Sequence, residues 1–485
     1  MCGLIAITGT PGSAYDVFFG LMNLQHRGQD GAGILTIDTK KKGNFHLTKG
    51  SGLVENVFSE RSFKTLTGHA ALGHSRYATV GRNDPNMLQP FLDYDRGLGL
   101  GHNGNIVNFY KLREELYHSK TRKPLWVESD SELMLKLLCD ELEPGPIDFQ
   151  NAQGAVKRLM SKLVGSYSVI CLTGEGDIFG FRDPDGIRPL CLGRRMQEDG
   201  STVYALASES IALNFLGFTD VEDVQTGELV YISKGGVIER KVIRQDSISP
   251  CMFEWVYFAR VESEIDETSV YNARFKLGQV LARQLQKENI SADVVVPVPE
   301  TSRVSAIAVA ETLGIPFREL LIKNRYVNRT FILDDQESRQ EAIRRKLFPI
   351  GHEFEGKSCL IVDDSIVRGN TSMQIVKLIR LAGAKEVILL STCPPLVSPC
   401  YYGIDFPSAK ELVAHDRTND EIAEILGVDR VIFQTISGLK EALESETLCL
   451  GCLTGEYPTD ISSGRDFEAM RTRDRESGVK KHSSC

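Results

Sequence analysis

The sequence predicts a chain of mixed α/β and α+β class built from two unlike halves, and three observations predict it. In the first half, short β-rich runs punctuated by glycine stand close together with few helical patterns between them: GLIAITG, GAGILTID, ALGHSRY, GLGLGHNGN, YSVICLTG, DIFGFRD and TVYALASE. Grouping of this kind belongs to sheets layered with helices. In the second half, continuous β-branched runs (ADVVVPVPE, KSCLIVDDSIV, AKEVILLSTCPP) each lie near a helical pattern. That alternation implies a parallel sheet covered on both faces. Between the halves, TGELVYISKGGVIERKVI reads as a closing hairpin that turns at Gly235 and Gly236.

The elements follow in order. Leu4, Ile5, Ala6 and Ile7 start the chain as a strand, and YDVFFGLMNLQHRG and ESDSELMLKLLCDEL are the first two helical patterns. The boundary is placed between about 235 and 255, near QDSISPC, on the change of pattern. FKLGQVLARQLQKEN, SRVSAIAVAETLG and SMQIVKLIRLAG are the helices of the second half. The expected division is 2–240, 250–445 and a terminal segment 446–485, whose charged, apolar-poor end from Gly464 reads as a frayed tail. No internal repeat is present.

Composition removes several classes of function. With 485 residues, 42% of them hydrophobic and 25% charged, the chain has the make-up of a soluble globular protein of two or three domains. A net charge of −9 argues against a nucleic-acid binder. There is no membrane span, and no secretory signal at the start. Eleven cysteines scattered along so long a chain fit reduced thiols and a cytoplasmic compartment. Cys139, Cys171, Cys191 and Cys359 read as buried fillers, and Cys485, as the final residue, is no prenylation box. CLGC (Cys449 and Cys452) is a metal or redox pair in need of partners.

Two stretches carry chemistry. The chain opens MCGLIAI. Removal of Met1 would leave Cys2 with a free α-amine, whose ordinary pKa near ~8 lets it serve as a base. A nucleophile activated by its own terminal amine is a known arrangement. The other stretch is CLIVDDSIVRGNTS, 359–372. A buried strand ends in two adjacent carboxylates, and a loop with a glycine and small hydroxyl residues leads into a helix. Ligands of open α/β sheets bind beyond such strand ends, and backbone N–H groups at a helix start cradle anions. Ser365, Gly369, Asn370, Thr371 and Ser372 suit a phosphate monoester, whereas Asp363 and Asp364 suit ribose hydroxyls or a Mg²⁺ bridging to phosphate. A capped helix start accounts for one Asp, not two.

The 359–372 segment resembles the phosphoribosylpyrophosphate (PRPP) motif of type I phosphoribosyltransferases. The resemblance implies a parallel-sheet domain with helices on both faces and a ligand carrying a 5-phosphate, ribose hydroxyls and a Mg-bound pyrophosphate. VPVPETSRVSA (296–306) then resembles the pyrophosphate loop, with Thr301 near the metal. The basic stretch 321–347, with Lys323, Arg325, Arg329, Arg339, Arg344, Arg345 and Lys346, is what a lid over a tetra-anionic substrate needs, although a solvated charge run is its commoner meaning.

In the first half, LQHRGQDGAG, HSRYATVG, GHNGNIVN and ESDSE follow MCG in order. A cysteine attacking a carboxamide needs donors where the oxyanion develops. Asn103 and Gly104, in a tight HNG turn, supply them. Arg76 would pair an α-carboxylate bidentately, and Asp130 would hold an α-ammonium. His26, His74 and His102 read as hydrogen-bonded structural residues. The set resembles the class II glutamine amidotransferases, N-terminal-nucleophile (Ntn) hydrolases, with Thr79 as a further glutamine contact. This resemblance implies a four-layer αββα sandwich. FRDPDGIRPL and LASES match the branch that fuses such a glutaminase to a PRPP domain, the glutamine phosphoribosylpyrophosphate amidotransferases. The resemblance covers about residues 2–460.

Resemblance also implies the rest of the expectation. Glutamine and PRPP are the substrates, 5-phosphoribosylamine, glutamate and pyrophosphate the products, and the step is the committed one of purine synthesis. Ammonia would cross an internal channel formed as the lid closes. One Mg²⁺ per subunit would sit at Asp363, Asp364 and Thr301. One structural [4Fe–4S] cluster per subunit would sit on Cys251, Cys400, Cys449 and Cys452, with zinc a lesser alternative and Cys393 left to packing. Purine nucleotides of the AMP, GMP, ADP and GDP type would inhibit a homotetramer or homodimer, with no nucleic-acid or membrane partner. Three departures stand out: Met1 alone precedes Cys2 where relatives carry a propeptide, VESEID replaces the common PDS after FAR, and Asn328 replaces a glycine in the lid. Two other readings stay open, another class II amidotransferase and a non-enzymatic PRPP or nucleotide sensor.

Overall fold

The residues of the opening strand point alternately to two environments, and this alternation builds the first half. In the computed structural model, which describes residues 1–38, 44–77, 84–118, 125–324, 347–406 and 408–464, β1 (Gly3–Thr8) is buried along its whole length. Leu4 and Ala6 face a second sheet, while Ile5 and Ile7 face the helix Ser13–Asn23 through Val17 and Leu21. Period-two alternation with both faces apolar is what a strand sandwiched between layers requires.

β1 lies inside a seven-stranded antiparallel sheet with β2 (Gly31–Asp38), β3 (Asn44–Ser51), β4 (Ala70–Arg76), β9 (Cys191–Met196), β10 (Thr202–Ala207) and β11 (Thr219–Asp223), in the order β11-β9-β10-β1-β4-β2-β3. The second sheet has the order β13-β12-β8-β7-β6-β5. It comprises β5 (Phe91–Asp93), β6 (Leu98–Ile106), β7 (Gly165–Thr173), β8 (Ile178–Arg182), β12 (Glu228–Ile232) and β13 (Ile238–Val242). Leu35, Leu72, Ile170, Leu172, Ile178 and Val230 fill the space between the sheets. The helices Asp130–Glu141 and Phe149–Met160 cover the outer face of the second sheet through Leu133, Leu138, Val156 and Leu159. The result is the expected four-layer αββα sandwich. Truncating any of the fully buried leucines to Ala would cost about 2–5 kcal/mol.

In the second half, the hairpin β14 (Glu264–Ile265) and β15 (Thr268–Ser269) precedes a parallel sheet of β16 (Val294–Pro297), β19 (Ser358–Asp363), β20 (Glu386–Ser391) and β21 (Arg430–Phe433), in that order. Leu360, Val362 and Ile388 meet the helices Val270–Lys287 and Arg303–Leu313 on one face. Ile361 and Leu389 meet the helices Asn370–Leu381 and Asn419–Leu426 on the other. A small antiparallel pair, β17 (Leu321–Lys323) and β18 (Leu347–Pro349), stands apart from this sheet. The halves share a core: Met1, Val107 and Ile187 pack with Met252, Phe253, Trp255 and Tyr402.

The sequence reading missed β3, β5, β9, β11 and β21, and with them the short strands β14, β15, β17 and β18. β3 is half-buried up to an exposed Ser51 and its alternation is only two residues long, Phe45 and Leu47 against the core between the sheets, while β11, TDVED, is half to fully exposed with Val221 its one apolar residue. One expectation is overturned. Asn103 and Gly104 do not form a turn; they lie within β6, opposite Ser168 and Tyr167 of β7. The Asn-Gly preference for hairpin turns is local, and here pairing along the whole length of β6 with β7 overrides it.

Candidate active sites

Cys2 directly precedes β1 and is half-buried. Its backbone N–H donates to Asn103 Oδ1 at 3.0 Å. A backbone N–H can only donate, so the carbamoyl oxygen faces Cys2 and the Asn103 Nδ2 group points elsewhere. That Nδ2 is buried and has no partner among the described residues. An orphaned buried donor costs free energy, and here it lies beside a thiol, where an oxyanion would complete it. Gly104 has φ +151°, and a Cβ there would stand 2.0 Å from Ser166 O, so the position accepts only glycine.

Arg76 closes β4 and is nearly buried; its Nη1 donates to Asp84 O at 3.1 Å. Burial lowers its pKa against the pull of the surrounding acidic groups, Cys2 and Asp130 among them. Asp130 opens the helix Asp130–Glu141 and accepts from Ile106 N–H at 3.3 Å and Ser131 Oγ at 3.3 Å. Burial alone would raise the Asp130 carboxyl, but His102 and these hydrogen bonds outweigh it and hold it below the ordinary value. Arg76 therefore lies close enough to both Cys2 and Asp130 to feel their charge. His26 and His102 are hydrogen-bonded, to Glu209 at 2.7 Å and Ser131 at 3.2 Å. His74 is fully buried with neither ring nitrogen in hydrogen-bond geometry, and burial with Arg76 and His102 nearby holds it neutral. Thr79 lies outside the described residues.

The sequence reading missed Arg27. Its Nε donates to Cys2 O at 3.1 Å. The only signal was an arginine inside the quoted LQHRGQDGAG.

At the other site, Asp363 ends β19 and Asp364 follows it. The register Pro297 to Val362 brings the loop after β16 alongside. Thr301 on that loop hydrogen-bonds Asp364, and Ser365 Oγ donates to Asp364 Oδ1 at 3.0 Å. Burial pushes the Asp364 carboxyl up to about 6 against the hydrogen bonds from Ser365 and Thr301, and burial with Asp364 beside it raises Asp363 as well. Gly369 caps the helix Asn370–Leu381, so Asn370, Thr371 and Ser372 form its first turn. Lys323 ends β17 and is exposed. Arg325, Asn328, Arg329, Arg339, Arg344, Arg345 and Lys346, and with them the proposed lid, lie outside the described residues, as does the tail beyond Gly464.

Cys251, Cys400, Cys449 and Cys452 are all buried in the core shared by the halves, with Cys393 among them. Cys251 and Cys449 pair in a short parallel bridge, and Cys449 N–H donates to Pro250 O at 2.9 Å. Tyr402 N–H donates to Cys400 Sγ at 3.3 Å. The Cys452 carbonyl accepts from Val397 and Ser398. Burial pushes the Cys251 thiol up to about 11 and raises Cys449 and Cys452, the last also through the other thiols. Among the described residues no group of three or more His, Cys, Asp or Glu side chains is arranged to hold a metal ion. The loop bearing Cys400 docks directly on the thiol site: Tyr401 O accepts from Asn105 Nδ2 at 2.7 Å and Tyr402 O from Ser166 Oγ at 2.9 Å. Gly403 approaches so closely that a Cβ on it would stand 2.8 Å from Gly104 O.

Both halves of the chain have known relatives. Residues 74–214 match the glutamine amidotransferase domain family and residues 267–399 the phosphoribosyl transferase domain family. The chain is 42% identical to the amidophosphoribosyltransferase of Haemophilus influenzae over 99% of its own length and 97% of the relative's. It is 38% identical to that of Schizosaccharomyces pombe, covering 100% and 95%. The solved structure of the glutamine PRPP amidotransferase of B. subtilis, complexed with ADP and GMP, superposes with a TM-score of 0.84 at 37% identity, covering 95% of this chain and 98% of that one.

Proposed function

The chain belongs to the amidophosphoribosyltransferase family, which moves the amide nitrogen of glutamine onto PRPP in the committed step of purine synthesis, and from that premise we propose how its residues divide the reaction. Cys2, exposed as the terminus once Met1 is removed, is the nucleophile. Its sulfur attacks the side-chain carbonyl carbon of glutamine, and its α-amine carries the thiol proton to the departing nitrogen. Asn103 Nδ2 and the Gly104 N–H hold the oxyanion. Water then releases glutamate from the thioester. Arg76 pairs the substrate carboxylate, Asp130 its ammonium, and Thr79 adds a contact. The observation that carries this reading is the unpartnered Asn103 Nδ2 beside Cys2.

At the strand ends, Ser365, Gly369, Asn370, Thr371 and Ser372 receive the 5-phosphate, Asp363 and Asp364 the ribose hydroxyls, and Lys323 with Arg325 the pyrophosphate. Ammonia travels within the protein from Cys2 and displaces pyrophosphate at the anomeric carbon. Two adjacent carboxylates with raised pKa, Asp363 buried and Asp364 half-buried, fit a divalent cation, so Asp363, Asp364 and Thr301 would hold Mg²⁺. Bound there, Mg²⁺ would neutralise charge on the leaving pyrophosphate. Four buried thiols in one core, two of them, Cys251 and Cys449, with Arg188 close enough to favour their thiolates, fit an iron–sulfur cluster by donor chemistry, although in this conformation they are not arranged around a metal ion. A cluster there would tie the terminal segment to both halves.

Residues 2–240 and 250–445 form the two working domains, with 446–485 as the terminal segment. Purine nucleotides act as inhibitors on this reading, supported by the relative solved with ADP and GMP. Assembly as a homotetramer or homodimer and a cytoplasmic location complete it. Among the described residues no helix is long and apolar enough to cross a membrane.

Cys2→Ala tests the core of the proposal. Glutamine-dependent pyrophosphate release is expected to vanish while ammonia-dependent synthesis persists. Glutamine hydrolysis surviving in this variant would refute the nucleophile.

A further inference from the structure

Four charged side chains meet at the junction of the halves with almost no water contact: Arg27, Glu209, Glu254 and Arg188 are each 0–1% exposed. Such residues are almost never fully buried unless paired, and assembling them is costly. Arg27 is the centre. Its Nη2 donates to Glu254 Oε1 at 2.8 Å and its Nη1 to Glu254 Oε2 at 3.1 Å. Nη1 also pairs with Glu209. This bidentate grip fixes the guanidinium plane, and the plane aims Nε at Cys2 O. Glu254 is steadied from its other side by Arg188 Nη1 at 3.3 Å, whose Nε donates to Tyr402 O at 3.0 Å.

Glu254 belongs to the second half, on the π-helical turn Glu254–Phe258. The segment after it returns to the network, with Arg260 N–H and Ser263 Oγ donating to Glu209 Oε2 at 2.9 and 2.8 Å. Its opposite side is held by Arg274, which donates to the carbonyls of Trp255 at 2.9 Å, Tyr257 at 3.0 Å and Ala259 at 2.7 Å. Contacts therefore run from Cys2 through Arg27, Glu254 and the 255–259 backbone to Arg274, on the helix Val270–Lys287 of the second half.

We propose that Arg27 and Glu254 are positioning residues for glutamine hydrolysis: Glu254, supplied by the second half, orients Arg27, and Arg27 fixes the Cys2 carbonyl. With its N–H on Asn103 and its carbonyl on Arg27, Cys2 is pinned at both ends, and only the side-chain torsion remains to place the sulfur. The glutaminase centre is incomplete without residues beyond 250. The inference rests on Cys2 as the nucleophile.

The test uses the full-length protein and separate assays of glutamine hydrolysis and ammonia-dependent synthesis. Misplacing a reacting group by about 1 Å costs on the order of a hundred-fold, so Glu254→Gln is expected to lower kcat for glutamine hydrolysis at least about ten-fold. Glutamine KM should stay within about two-fold because Arg76 and Asp130 are untouched, and the ammonia-dependent rate should also stay within about two-fold. Arg27→Lys should show the same split, and the double variant should cost no more than the worse single one, since the two act as a unit. Glu254→Asp, which keeps the charge, should recover part of the lost kcat and carries the test if Glu254→Gln does not fold. An unchanged kcat in Glu254→Gln, a rise in KM alone, an equal loss in the ammonia reaction, or additive losses in the double variant would each overturn the inference. Glutamine hydrolysis surviving Cys2→Ala would instead overturn the nucleophile beneath it.

Discussion

The two sites of this chain solve their electrostatics in opposite ways. Around Cys2 the charges are neutralised internally: Arg27 and Arg188 face Glu209 and Glu254, and Asp130 is settled by His102 and two hydrogen bonds. Among the groups left over beside Cys2 is a neutral dipole, Asn103 Nδ2. Around Asp363 and Asp364 the imbalance is left standing, since among the described residues neither carboxylate has a salt bridge and both have raised pKa values. Covalent chemistry on an uncharged amide needs a fixed frame with a vacancy of dipole size. Binding a polyanion with its cation needs a vacancy of charge.

The comparison can be broken at several points. The largest effect is expected from Cys2→Ala, at least about a thousand-fold in glutamine hydrolysis with ammonia-dependent synthesis retained. Equal loss of both rates would mean the sites are not separable. Next comes Asn103→Ala, expected to lower kcat for glutamine about 10²–10³-fold, as loss of one oxyanion donor does elsewhere. A change confined to KM would place Asn103 in binding instead. Arg76→Lys should raise glutamine KM about ten-fold or more by removing a bidentate, charge-assisted contact, and leave the ammonia reaction alone. The smallest effect sharpens the second site. A carboxyl whose folded pKa exceeds its unfolded value of 3.8 withdraws stability as it ionises, so Asp364 favours the folded state below pH 3.8 and that contribution is lost as pH rises through about 6. On the proposed function Mg²⁺ would bind the ionised pair and should therefore raise Tm by about 2–4 °C at pH 7.5 and by much less at pH 5. An equal shift at both values would remove the Asp pair from the metal site.

Legibility in the sequence differs between the same regions. The phosphoribosyl floor is local: strand, carboxylates, loop and helix start lie within 359–372, so one window displays them together. β1, β16, β19 and β20 were equally plain because each is a short run of fully buried apolar residues. The thiol site could be read only as an ordered series of weak motifs, and its geometry came out wrong at Asn103 and Gly104, where a turn-forming pair is stretched into a strand by pairing with β7. The Arg27 network was invisible for a related reason. Its partners stand 182 and 227 residues away, and nothing in the residues flanking any of them announces the contact. Edge and half-exposed strands such as β3 and β11 escaped because so few apolar residues mark their inner faces, Phe45 and Leu47 in β3 and Val221 in β11.

The near-touching glycines, Gly403 and Gly104, tie the fortunes of distant segments together. A single methyl on Gly403 would push against the strand that carries the amide donors, and Gly403 itself sits at φ +93°. In a saturation screen scored only on glutamine use, position 403 would therefore masquerade as part of the amidase, although it lies 301 residues after His102. An engineer wishing to graft the glutaminase half onto another acceptor enzyme would inherit this obligation. The donor module brings its pocket but leaves behind the brace that keeps one wall from relaxing.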